Sequence, residues 1–76
     1  MKYIITYRDR RVVRHADSAE HAINKLCDQY GWRCRLDMYD ADTRGMEWAK
    51  CSADTEGGIN YNVTLFAERA DEEATK

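Results

Sequence analysis

Six arginines crowd the first half of this chain: Arg8, Arg10, Arg11, Arg14, Arg33 and Arg35. A guanidinium grips phosphate or carboxylate through two parallel N–H donors, so their clustering is the chemistry to follow. Tyr39 and Phe66 alternate onto the same expected strand faces as Arg33 and Arg35. Arginine beside a large aromatic side chain is the usual anchor of an interface. These eight residues are the candidate partner-binding set. Their competing reading is a solvated surface balanced by Asp9, Asp17 and Asp28.

Other reactive side chains form no motif. His15, His21, Cys27 and Cys34 are separated by gaps of five, five and six residues. Structural zinc sites pair their ligands in tighter steps such as C-x-x-C. Asp40, Asp42 and Gly45 resemble the opening of a calcium loop, but Arg44 and Cys51 stand where oxygen ligands are needed. The carboxylates Asp37, Asp40, Asp42 and Glu47 surround a polar turn, where solvation is the default. No G-x-S-x-G element occurs, and Gly57-Gly58 reads as a turn rather than a phosphate loop. Asn62-Val63-Thr64 matches a glycosylation acceptor by chance on a strand. The expectation is a protein without catalysis, cofactor or metal.

The elements that must position the arginines follow from a change of period. Ala19, Ala22, Ile23, Leu26, Cys27 and Tyr30 fall at helical spacing, and Trp32, Cys34, Leu36 and Met38 then alternate. Gly31 stands at the junction, where a helix favours a left-handed stop. Asp17 followed by Glu20 predicts an N-cap with a reciprocal contact. Residues 2–7 and the stretch from Val12 read as a hairpin, and residues 32–39, 46–52 and 59–67 read as three further strands. Turns are expected at 40–45 and 53–58. The fold class is therefore α+β, ordered ββαβββ, with one amphipathic helix packed on one face of an antiparallel sheet. Its other face is expected to present Arg33, Arg35, Asp37 and Tyr39 in the third strand, with Asn60, Asn62, Thr64 and Phe66 in the fifth.

Size and charge narrow the class. The 76 residues predict a single domain over 1–67 with a charged, frayed tail over 68–76. A chain this short buries only roughly 60% of its unfolded surface, so a deep dry active site is hard to build. Residues 1–36 carry eight Lys or Arg against four Asp or Glu, while residues 37–76 carry four against ten. Three cysteines with no secretory signal argue against a disulfide framework. No run approaches the roughly 20 apolar residues of a membrane span, so a cytoplasmic protein is expected.

Two functions compete. One is a protein-binding module, an inhibitor or adaptor. The other is a small nucleic-acid-binding protein with an arginine-rich sheet face, against which the acidic second half counts. A hairpin, a helix opened by Ser18-Ala19-Glu20 with alanines on its inner face, and a meander containing Trp48-Ala49-Lys50 fill residues 2–67. In this layout the chain resembles the small anti-CRISPR proteins carried by phages and mobile elements. The resemblance implies a stoichiometric inhibitor of a host CRISPR surveillance complex, acting in the host cytoplasm through charged residues that engage the nucleic-acid channel. The acidic turn could instead mimic nucleic acid. No shared motif assigns a residue role. A monomer or a homodimer is expected, since an open sheet edge can pair with itself.

Overall fold

Strict alternation builds the sheet. In β1 (Lys2–Tyr7), Tyr3, Ile5 and Tyr7 are buried while Lys2, Ile4 and Thr6 face the other way. The structure, a computed structural model, describes residues 1–42, 45–58 and 60–70. β1 turns at Arg8-Asp9 into β2 (Arg10–His15). α1 (Ala19–Tyr30), β3 (Arg33–Asp42), β4 (Gly45–Asp54) and β5 (Val63–Arg69) follow. All pairings are antiparallel, and the five strands lie in the order β2-β1-β5-β4-β3. The expected ββαβββ architecture is the one observed. No helix among the described residues is long and apolar enough to cross a membrane.

α1 packs mainly over β4 and β5. Ala19, Ala22, Ile23, Leu26 and Cys27 form its buried stripe. Beneath it lie Ala49, Cys51, Ala53, Val63, Leu65 and Ala67, each 3% exposed or less. Tyr3, Ile5 and Tyr7 extend this core under the other half of the sheet.

Both helix ends are satisfied locally. Ser18 is the N-cap, with extended backbone, and its Oγ accepts from His21 N at 3.1 Å. The cap was expected one residue earlier, at Asp17. Capping at Ser18 places buried Ala19 as the first helical residue and still fills an orphan donor of the first turn. At the other end Gly31 takes φ 74. Its N–H donates to Asp28 O and Trp32 N donates to Cys27 O, at 3.2 and 2.8 Å. These two bonds form a Schellman closure, which a left-handed glycine permits without strain.

The third strand departs from the expected phase. Cys34 pairs with Ala53 and Leu36 with Cys51, as alternation requires. The register then slips at Asp37, so that Met38 pairs with Lys50 and Tyr39 with Ala49. This is a β-bulge, in which one strand spends two residues against one. Met38 is thereby turned out of the core and is 56% exposed. Tyr39 moves to the helix side of the sheet, on an edge strand, and remains 55% exposed.

Strand ends also differ from the sequence reading. Residues 40–42 continue β3 and Gly45 opens β4, so the expected turn over 40–45 shrinks to residues 43–44, outside the described set. β5 starts at Val63 and continues through Arg69, and Ala70 N donates to Lys2 O at 2.9 Å. Residues 68–70 therefore belong to the sheet, and the rest of the expected tail, 71–76, lies outside the described residues. Replacing Ser18 by alanine should cost about 1 kcal/mol in chemical denaturation, and Asp17→Ala less than about 0.5 kcal/mol. The reverse ranking would restore Asp17 as the cap.

Candidate functional site

One helix covers one face, and strand register determines what the other presents. One row across this open face reads Val13, Ile4, Glu68, Trp48 and Asp40. The next reads Arg11, Thr6, Phe66, Lys50 and Met38, and a third reads Thr64, Ser52 and Arg35. Trp48 and Phe66 are diagonal neighbours with ring centroids 5.7 Å apart at 30°. Each is half-buried by the other and by the sheet, leaving a firm apolar centre.

Arg35 is held in place at the edge of that centre. Its Nε donates to Asp37 Oδ1 at 3.2 Å, and its guanidinium lies over the Tyr61 ring, 4.5 Å from the centroid. Ser52 Oγ donates to the other Asp37 oxygen. The bulge makes this arrangement, because the extra residue places Asp37 beside Arg35 rather than one step out of phase. Stacking and pairing together fix a long side chain whose rotamer entropy would otherwise oppose binding.

The eight candidate residues do not form one patch. Arg11, Arg33, Arg35 and Phe66 lie on the open face. Arg33 sits opposite Asp54, which is buried and accepts from Glu56 N at 3.0 Å. Arg14 lies on the helix side opposite Tyr3, and its Nη2 donates to Gln29 Oε1 at 2.6 Å. It ties β2 to the helix rather than facing the open sheet. Arg8 and Arg10 flank Asp9 at the hairpin tip. Tyr39 stands apart from Arg33 and Arg35 because of the bulge. Of the fifth-strand residues expected on this face, Asn60 and Asn62 precede the strand. Trp48, Tyr61 and Met38 are face residues that sequence reading did not select. Trp48 was reachable, since Ala49, Cys51 and Ala53 alternate against it.

A second constellation lies at the end of the molecule where α1 stops. Tyr7, Tyr30 and Trp32 meet there. Tyr30 and Trp32 stack at 4.8 Å and 29°, and Tyr7 meets Trp32 edge-on at 5.9 Å. The Tyr7 and Tyr30 hydroxyls are 3.4 Å apart. Arg8, Asp9 and Arg10 complete the wall of a cavity of about 390 Å³. The Tyr7 hydroxyl is held above its ordinary ionisation range by its bond to Tyr30 and by burial, with Arg10 opposing.

The three cysteines are free. Cys34 Sγ donates to Asn24 Oδ1 at 3.1 Å, and a hydrogen bond from the Cys27 thiol lowers the ionisation range of Cys34. Cys27 is pushed up by the same bond and by burial, and burial pushes Cys51 up to about 12. Among the described residues no three His, Cys, Asp or Glu side chains could hold a metal ion. No family model matches the chain, and no curated protein and no solved structure matches it.

Iodoacetamide should therefore alkylate Cys34 first in the folded protein, with Cys27 and Cys51 modified only on unfolding, as read by peptide mass spectrometry. Raised folded-state values mean that Cys27 and Cys51 keep their protons when the unfolded thiols lose theirs. Their stabilising contribution is complete below the ordinary thiol value of 9.0 and declines as pH rises toward about 12. Denaturation midpoints should fall across that window, and Cys51→Ala should flatten the fall.

Proposed function

We propose that this chain is a non-catalytic binding module that docks a protein partner through the open face of its sheet. The observation that carries this reading is the fixed Arg35, held by Asp37 and Tyr61 beside the Trp48–Phe66 pair. Arg, Trp and Tyr supply most interface hot spots, and a pre-ordered anchor loses little freedom on binding. The face carries the cations Lys2, Arg11, Arg33, Arg35 and Lys50 against the carboxylates Asp37, Asp40 and Glu68, on a chain whose net charge is −2. A net-positive face on an acidic chain fits a partner with an acidic surface. The layout resemblance to anti-CRISPR proteins makes a CRISPR surveillance complex the expected partner, and the role that of an inhibitor encoded by a phage or mobile element.

The test is titration of purified protein onto an assembled surveillance complex, followed by calorimetry after nuclease treatment. Stoichiometric binding is expected for the native sequence. Arg33→Glu with Arg35→Glu should keep the circular dichroism of the fold and weaken binding about a hundredfold or more, as reversal of buried charged contacts does. Unchanged binding by the folded double variant would rule out the open face. Binding only to nucleic acid, lost steeply with salt, would replace the protein partner with a nucleic-acid one.

A further inference from the structure

The cavity at the hairpin end lies outside the open face and has its own chemistry. Three aromatic rings and two guanidiniums converge on about 390 Å³, the lower part of the roughly 300–1,000 Å³ range of ligand pockets. Tyr30 gives one face to Trp32 and is still 44% exposed. Neither Arg8 nor Arg10 makes an ion pair among the described residues.

Aromatic clusters of this kind take either cations or flat rings. A methylated ammonium would meet Arg8 and Arg10 as like charges. A planar ring joined to an anion meets every wall favourably. The hairpin side offers positive charge. The helix side offers stacking surface and the electronegative end of α1, which disfavours an anion but suits the N–H edge of a base. We propose that this pocket holds one unpaired nucleotide, its base against Tyr30 and Trp32 and its phosphate on Arg8 and Arg10.

Backbone geometry supports a binding role for Arg8. Its φ is 53, a left-handed value that glycine adopts freely and arginine does not. A strained non-glycine residue at a pocket rim marks a position where the side chain is worth the strain. Asp9, between the two arginines, opposes a phosphate and sets an upper limit on affinity. The ligand is either a free mononucleotide or one unit of a single strand, and both present the same base and phosphate.

The chain contains two tryptophans, so Trp48→Phe leaves Trp32 as the sole reporter. Its fluorescence is titrated with an eight-residue oligothymidylate, thymidine monophosphate, thymidine, inorganic phosphate and a blunt duplex. Saturable quenching by the oligomer and the monophosphate is expected, with thymidine and phosphate alone each weaker. Affinity that rises with strand length identifies a strand as ligand, and equal affinity for monomer and oligomer identifies the free nucleotide. Tyr30→Ala should raise Kd about five- to 150-fold, the range of a lost base stack. Arg8→Gly should raise the melting temperature yet weaken binding and reduce the salt slope by about one. Asp9→Asn should tighten binding of the monophosphate.

Absence of quenching at millimolar ligand overturns the proposal. So do equal binding of the duplex, preference for a trimethyl-lysine peptide, or indifference to both Tyr30→Ala and Arg8→Gly in folded protein. Arg33→Glu with Arg35→Glu should leave the quenching unchanged, which separates this site from the open sheet face.

Discussion

The structure depends on how closely one helix can approach five strands. Ala19 and Ala22 on the helix meet a floor that includes Ala49, Ala53 and Ala67, and all five are fully buried. Ala49 and Ala67 are direct cross-strand partners at the centre of the sheet. Small side chains there let the two backbones draw together, so that Ile23, Leu26, Ile5 and Leu65 fill the flanks. Packing density, rather than volume of core, is what a short chain can offer. A leucine in place of any of these alanines would lift the helix from the sheet, as overpacking does.

That single helix also determines where binding chemistry can sit. It shields one face and ends beside the β1–β2 turn, where its last residue and the turn create the aromatic cavity. The opposite face stays free to carry Trp48, Phe66 and a fixed Arg35. The two sites are built by different elements, with the cavity drawing on the helix end and first hairpin and the face drawing on β3, β4 and the segment before β5. Each can therefore be altered without disturbing the other.

Periodicity made the architecture legible. The stripe Ala19 to Cys27 and the alternation in β1 and β5 each assign a face without ambiguity, and Gly31 marks the helix stop. What could not be read was the register slip at Asp37. A bulge adds one residue while leaving the local pattern of apolar and polar letters plausible, so Met38 continues an alternation that the pairing with Lys50 breaks. The fixed Arg35 was hidden for the same reason, since its partners Asp37, Ser52 and Tyr61 come from three separate segments. Arg14 was misplaced because opposite faces of a short edge strand carry arginine alike. The aromatic cavity was missed because Tyr7, Tyr30 and Trp32 each read as an ordinary member of its own element.

The order β2-β1-β5-β4-β3 has a consequence for how the chain comes together. The two hairpins, β1–β2 and β3–β4, are local and can close early. Neither touches the other except through β5, the last strand in chain order and the middle one in space. Until β5 is added, the helix has no continuous floor and two unpaired strand edges face each other across a gap. Assembly is thus gated by a late, long-range insertion, which slows folding relative to a meander of the same length. During synthesis the half-built sheet would expose those edges until residues 63–69 have left the ribosome, a window in which a chaperone or a second nascent chain could occupy the central slot.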